Sequence, residues 1–501
     1  MTRDDGRPNV VLIMSDQHNA RVMGCAGDPI VATPNLDGLA RDGALLTKLY
    51  SPSPLCMPAR MAFMTGMLPS HAGVMTNSQI LSSARPTLAH SAGAAGYVPY
   101  LSGKLHVLGP DQLLGFVDRA VGDHNSNYAG GRESAPTILD GAAGPGFVSL
   151  EKSGSGRNAY QVRDEFAAEA AISFIERHAI EDASTGERRP FFLSVGLMLP
   201  HQPYVATDDD FSRYRGRVPA PRVPAPAPPD AHPFLAWWRE ATGIDGTVPD
   251  EVIGRARTAY WAMVDRMDQI IGGILAVLER RNLVDNTVVI YTSDHGDHVG
   301  EHGLWWKQTF YDAASRVPGI IRWPGVIPAG SQCDRVASLL DINATILDAV
   351  GAPRLPRSNG RTLLPVLTGA SSQWEDIAIA EYCIDTGHYP GIELPEGSYQ
   401  RMVRKGALKY IDFGEDDPQL FDLENDPEEI RDLASDPAFR ELLAELRGIA
   451  RYDWDPQLVR GETRLCFEEM AIIDEWARQV QPEDRYRWEI DPRYNALEGE
   501  A

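Results

Sequence analysis

Nowhere in this chain does an apolar run approach the roughly 20 residues a membrane-spanning helix requires, which excludes a bundle of such helices. The first nine residues carry no basic segment followed by an apolar one, so no secretory leader is expected. Cysteine is scarce: five residues, Cys25, Cys56, Cys333, Cys383 and Cys466, scattered without any Cys-x-x-Cys spacing. That excludes a disulfide scaffold or a zinc ribbon and fits a reducing compartment, so a cytoplasmic location is expected. Cations are also short, 47 Lys and Arg against 70 Asp and Glu, for a net charge of −23. A general nucleic-acid or anionic-membrane binder is thereby excluded. An anionic small substrate is not, because a local set of cations can oppose the global sign. No internal repeat is present.

The 501 residues, 43% hydrophobic and 23% charged, describe a globular protein too long for one ordinary core. Val10 to Met14, Pro190 to Leu199 and Thr287 to Thr292 are continuous apolar runs, the pattern of strands buried on both faces of a parallel sheet. Helical patterns lie between them: one opening at Thr33 and Pro34, one over residues 161–179, and one from Ile253 to Arg281. The last carries Trp261, Val264, Met267, Ile271, Ile274 and Leu278 on one face, a core stripe. Alternation of strands and helices predicts an α/β fold, a large doubly wound and mostly parallel sheet flanked by helices, over residues 1–370. Residues 371–456 change texture, with short alternating strands and a charged helix from Pro437 to Ile449. They predict a smaller C-terminal α+β domain with an antiparallel sheet. Residues 457–501 form a tail rich in Trp, Tyr, Arg and Glu, with its own domain or a neighbouring subunit as alternative resting places. Two loops stand out: a Pro- and Ala-rich segment over 218–233, and a Gly-, Ser-, Asn- and Asp-rich surface excursion over 121–156.

The chemistry concentrates in Ser51 to Arg60, where Cys56 stands among three prolines. Pro58 is expected to open a helix that stops at Gly66, so the sulfur sits at a helix N-terminus with a guanidinium four residues on. That setting suits an activated thiol or a group made from one; taken alone, it equally suits a buried structural cysteine. Asp16 and Gln17 follow one buried strand, and Asp294 and His295 follow another. Oxygen ligands with one imidazole suit calcium, magnesium or manganese and not a closed zinc site. Arg60, Lys104, His106, His201 and Lys307 supply the cationic or ionisable groups that an anionic ester needs. His298 and His302 flank Glu301 at the spacing of a zinc pair, but Gly296, Gly300 and Gly303 argue against the helix it requires. His18 and His71 are further candidates for the pocket wall, on which the sequence is silent.

Cys56-Met-Pro-Ala-Arg60, followed by Met64-Thr-Gly66, resembles the Cys-x-Pro-x-Arg motif of the formylglycine-dependent sulfatases of the alkaline phosphatase superfamily. Further blocks align in order over nearly the whole chain: Thr33-Pro-Asn-Leu-Asp37, Gly103-Lys-Leu-His106, Leu199-Pro-His201 and Ser293-Asp-His-Gly-Asp297. Gln17 departs from the second Asp that many of these enzymes carry. Asp294-His295, with Leu101 to Gln112 and Gln419 to Pro427, is most similar to the choline sulfatase and phosphonate monoester hydrolase branches.

The resemblance implies that Cys56 is converted to formylglycine by a formylglycine-generating enzyme, and that one divalent ion, calcium foremost, is bound. The metal set would be Asp16, Gln17, Cys56, Asp294 and His295. One hydroxyl of the formylglycine hydrate would attack sulfur; loss of the other proton would then release sulfate. Arg60 and Lys104 would hold the formylglycine and His106 act as base, with His201 and Lys307 on the sulfate. The substrate implied is a small alkyl, sugar or aryl sulfate monoester, with neither nucleic acid nor membrane as partner. Alternatives are a phosphonate monoester or phosphodiester hydrolase on the same scaffold, or a non-enzymatic metal- or anion-binding protein with Cys56 unmodified. Choline sulfate is not favoured: Glu381-Tyr382 match part of a quaternary-ammonium cage, but residues 121–144 are poor in aromatics. A homo-oligomer, dimer or tetramer, is expected.

Overall fold

The computed structural model describes residues 6–185, 189–226, 231–384 and 397–498. Its largest element is an eight-stranded sheet built from β1 (Asn9–Ser15), β2 (Ala44–Leu46), β3 (Val98–Gly103), β4 (Asp118–Arg119), β5 (Phe191–Gly196), β6 (Thr287–Ser293), β7 (Gly319–Arg322) and β8 (Ser331–Cys333). The strand order is β8-β2-β7-β6-β1-β5-β3-β4. Only β7 runs antiparallel to its neighbours, so the sheet is mostly parallel, as the apolar runs predict.

Period-two alternation explains why those runs are continuous. Val11 and Ile13 enter one core with helices α1 (Pro34–Arg41), α3 (Ala159–Thr185) and α4 (Asp250–Arg280). Val10, Leu12 and Met14 enter the opposite core with α2 (Cys56–Thr65) and α5 (Leu339–Ala349). Both faces are covered, so both sets of side chains must be apolar. The run ending at Leu199 outlasts its strand, because the amides of Met198 and Leu199 donate to the buried Asp164 carboxylate (2.8 Å each) instead of to a neighbouring strand.

Register decides where the site falls. Met14 lies opposite both Gly196 and Thr292, so β1, β5 and β6 end level with one another. Asp16, His201 and Asp294 therefore project beyond the carboxyl edge of three adjacent strands, the place where open α/β sheets put their ligands. On β3, Gly103 has φ +88 and a Cβ there would stand 2.0 Å from the Gly196 carbonyl oxygen. Only glycine allows the chain to turn there and present Lys104.

The C-terminal sheet is antiparallel, in the order β9 (Ile377–Ile384), β10 (Ser398–Lys405), β11 (Leu408–Asp412), β12 (Gln419–Asp422). Ala380, Tyr382, Met402 and Phe421 pack into the same core as α4. Val403, Tyr410 and Leu420 face the other way, onto α6 (Arg440–Ala450). The chain then runs through α7 (Pro456–Val480), whose Leu458, Leu465 and Ile472 are exposed. Past α7 it folds back on itself. Trp488 donates its amide to the Asp123 carbonyl (2.9 Å), and Ala496–Leu497 pairs with Gly156 and Arg157. Residues 121–130 are consequently half-buried or better for the most part, not the surface excursion their composition predicts. No helix among the described residues is long and apolar enough to cross a membrane.

Candidate active site

Helix α2 starts at Cys56 itself, with Leu55 extended before it (φ −150, ψ 134), two residues earlier than a start at Pro58. Pro58 is the third helical residue, where the missing N–H would have no intrahelical acceptor anyway. Every residue of the helix is buried. Upstream, the Ser51 hydroxyl donates to the Asp294 carbonyl oxygen (2.5 Å) and ties the Pro-rich segment to the end of β6.

Around the sulfur, one ligand atom each from Asp16, Cys56, Asp294 and His295 all lie within 4.8 Å of one another, fully buried. His295 Nε2 is 3.1 Å from Cys56 Sγ, and Asp16 Oδ1 is 3.8 Å from it. His295 Nδ1 bonds the Gly296 carbonyl (3.0 Å), so that nitrogen carries the proton and Nε2 turns its lone pair to the cluster. Two carboxylates and an imidazole, closed by the side chain of residue 56, fit a divalent cation of the calcium, magnesium or manganese class. Gln17 is oriented otherwise. Its Nε2 donates to Gln202 Oε1 (2.5 Å) and Asp297 Oδ2 (2.6 Å), and its Oε1 accepts from Lys307 Nζ (2.8 Å).

The cations surround this cluster. Arg60 donates from Nε to Asp294 Oδ2 (2.7 Å) and from its two terminal nitrogens to the carbonyls of Lys104 (3.2 Å) and Ser15 (3.0 Å). Lys104 Nζ pairs with Asp16 Oδ2. In this geometry Arg60 and Lys104 neutralise the carboxylates, while Lys307 Nζ reaches the sulfur directly at 2.9 Å. His106 hydrogen-bonds Cys56 and keeps Nδ1 without a partner. His201 Nε2 stands 3.9 Å from Asp16 Oδ1, and its Nδ1 is 2.5 Å from the Gln202 carbonyl.

Burial would raise the Asp16 carboxyl's pKa, but Lys104, His201, Lys307 and His295 together hold it well below the usual range. The imidazoles shift the other way. Burial, then Lys307, drives His201 well below its ordinary value; burial, then Lys104, lowers His106; and burial takes His295 down to about 4. All three are neutral at pH 7. Lys307 stays an ammonium: burial opposes its charge, but the nearby Cys56 sulfur and Asp16 outweigh it.

Other candidates lie elsewhere. His18 is held by the Tyr291 hydroxyl (2.6 Å) and the Val22 carbonyl (2.9 Å), and His71 faces Asp453 (3.3 Å). His298 bonds the Thr309 hydroxyl (2.7 Å), while His302 stacks on Tyr311 with ring centroids 4.2 Å apart. They form no zinc pair among the described residues. The sequence gives no hint of Asp123, which accepts the amides of Leu105, His106 and Val107 (3.2, 2.8 and 3.3 Å) and pairs with Arg119 (2.8 Å). It fixes the loop bearing Lys104 and His106, the latter at φ +58. Asp297 is a second omission: it receives Gln17 Nε2 and the Tyr204 hydroxyl (2.7 Å) and so aims Gln17 at Lys307.

Residues 8–352 match the Sulfatase family. The chain belongs to the sulfatase family. Residues 300–451 match a second family, the C-terminal part of N-sulphoglucosamine sulphohydrolase. A choline-sulfatase of Rhizobium meliloti (strain 1021) is 30% identical over 98% of this sulfatase and 95% of its own length. An arylsulfatase of Clostridium perfringens is 26% identical over 88% and 93% respectively. Among solved structures, the phosphonate monoester hydrolase of Agrobacterium radiobacter superimposes with a TM-score of 0.72 at 25% identity, covering 88% of this chain and 94% of that one. Family and relatives make this sulfatase a sulfuric ester hydrolase.

Proposed function

We propose that this sulfatase hydrolyses a small alkyl, sugar or aryl sulfate monoester, with residue 56 as formylglycine hydrate supplying the nucleophile. One observation carries the reading: Cys56 Sγ is at once against Lys307, His295 and His106, at the edge of a carboxylate pair. Asp16, Asp294 and His295, with the side chain at position 56, would hold the divalent ion, calcium foremost. When bound, the ion withdraws charge from the sulfuryl oxygens.

The chain's own residues divide the remaining work. Lys307 Nζ, charged and 2.9 Å from residue 56, neutralises a sulfuryl oxygen and can protonate the departing alcohol oxygen. His201 donates from Nδ1 to the Gln202 carbonyl, which leaves Nε2 as an acceptor. It therefore has no proton to give to a sulfuryl or leaving oxygen, and Lys307 is the proton donor. His106, neutral and bonded to residue 56, takes the proton of the hydroxyl that stays behind, so that sulfate is released. Arg60 pairs with Asp294 and Lys104 with Asp16, so each carboxylate that would hold the ion faces a cation.

The choline-sulfatase relative supports a sulfate ester without selecting choline. Glu381 spends its oxygens on the Ser70 amide (2.8 Å), the Ser70 hydroxyl (3.0 Å) and Arg401 (3.2 Å), so it is not free to meet an ammonium group. The phosphonate monoester hydrolase likeness keeps a phosphonate monoester or phosphodiester substrate as a second reading. Mass analysis of the peptide containing Cys56 tests the nucleophile: a deficit of roughly 18 Da is expected. Paired aryl sulfate and aryl phosphonate substrates test the ester. A kcat/KM favouring the phosphonate by about tenfold, ~1.4 kcal/mol, would replace the first reading with the second.

A further inference from the structure

Lined by none of the catalytic residues, a cavity of about 310 Å³ opens where loops leaving the carboxyl ends of β1, β2 and β6 meet the C-terminal sheet. Its lining carries five cations, Arg21, Lys48, Arg222, Arg316 and Arg404, against three carboxylates, Asp28, Asp312 and Glu428. In a chain of net charge −23 that local excess of two positive charges is unusual. The carboxylates are already committed. Glu428 serves Arg21 (2.6 Å) and Arg222 (3.5 Å), and Asp312 serves Arg316 (3.3 Å) and Lys409 (2.6 Å). Asp28 accepts the amides of Ile30 and Val31 and the indole N–H of Trp261 (2.7, 3.0 and 3.0 Å).

Two cations are left over. Arg404 is 3% exposed, lines the cavity, and donates from Nε to the Tyr50 hydroxyl (3.0 Å). Its Nη1 is buried and meets no acceptor. Neither Arg404 nor the half-buried Lys48 makes an ion pair among the described residues. A buried guanidinium with an unmet N–H is costly unless an anion completes it. Its planar fork matches tetrahedral oxyanions, and Lys48 adds a second point charge.

We propose that this cavity is an oxyanion-binding site for a dianionic tetrahedral group, sulfate or hydrogen phosphate, either free or ending a small ester. The lining comes from loops of the large-sheet region, which carry Arg21, Lys48, Arg222 and Arg316, and from the C-terminal sheet and the loop after it, which carry Arg404 and Glu428, so the bound anion bridges the two. Its chemistry does not depend on which ester the Cys56 centre cleaves.

The catalytic pocket binds such anions too, so the measurement uses the Lys307→Ala/His201→Ala variant, in which that pocket is crippled. Titration calorimetry at constant ionic strength, with inorganic sulfate, inorganic phosphate and acetate in separate arms, is expected to give one sulfate or phosphate per chain and no acetate. The relative strength of the two productive arms identifies the preferred group. Adding Lys48→Gln and Arg404→Gln should weaken binding by roughly tenfold or more, as expected for lost charge-assisted hydrogen bonds. Lys48→Gln alone, at a half-buried position, should weaken it by roughly threefold with the anion-free melting temperature unchanged. The proposal is overturned if the crippled variant binds neither sulfate nor phosphate. It is equally overturned if Lys48→Gln, in a normally folded protein, leaves the affinity where it was.

Discussion

Two buried ionic clusters in this sulfatase are built to opposite plans. At the seam between the sheets, Lys409 donates to the Phe310 carbonyl (2.8 Å), Asp312 (2.6 Å) and Glu429 (2.7 Å), and Glu429 also takes the Asp312 amide (2.6 Å). An ammonium has three protons, and all three are used internally. At the strand ends, three fixed cations, Arg60, Lys104 and Lys307, face two carboxylates, Asp16 and Asp294. Lys307 rests on a sulfur and an amide oxygen, and His106 keeps a nitrogen unbonded. Burial and charge are common to both clusters. What separates them is unfilled bonding capacity, which a closed structural cluster lacks and a site for substrate and metal must keep.

Substitutions can break that contrast, and the largest effect belongs to the open cluster. Cys56→Ala should lower kcat by about 10^4-fold or more, the scale of a lost nucleophile, while the melting temperature barely moves. Comparable activity in that variant would remove residue 56 from the chemistry. Lys409→Met should do the reverse. Leaving Glu429 without its cation, and Asp312 with Arg316 alone, should cost about 3–5 kcal/mol in denaturant unfolding, with kcat of the folded fraction unchanged. Asp123→Asn tests the middle ground, because the Asp123 carboxylate meets the backbone that carries His106, and Arg119 and Arg163, but none of the groups around Cys56. Its kcat should fall about 10- to 100-fold with KM nearly constant, and Asp123→Glu should restore part of it. Equal loss in stability and none in kcat would make Asp123 merely structural.

The smallest effect is on pH dependence, and it belongs to the seam. Burial pushes His302 down to about 4, although Glu428 nearby pulls the other way. The unfolded chain takes that proton near pH 6.5, the folded chain only near pH 4. Between those values the unfolded state holds more protons, so stability rises with pH across the window and levels off above it. Unfolding free energy should be higher at pH 7 than at pH 5. His302→Asn should shrink that difference by about 1 kcal/mol or more, without altering kcat at pH 7.

Much of the site was legible in the sequence because its signals are local. An apolar run that ends in Asp16 or Asp294 announces both a buried strand and what stands at its end, and Cys56 to Arg60 is one contiguous motif. The work of Gln17 was not legible. Its partners Asp297 and Lys307 lie 280 and 290 residues away, and only the pairing of β1 with β6 brings them to one place. Asp123 was hidden for a similar reason: its Gly- and Asn-rich surroundings read as surface until the returning tail covers them. The sequence by itself determined the α/β fold, the strand ends and the residue types that gather there. Tertiary structure alone decided which cation answers which carboxylate, and which valences stay open, because those pairings depend on register and on distances that no local pattern encodes.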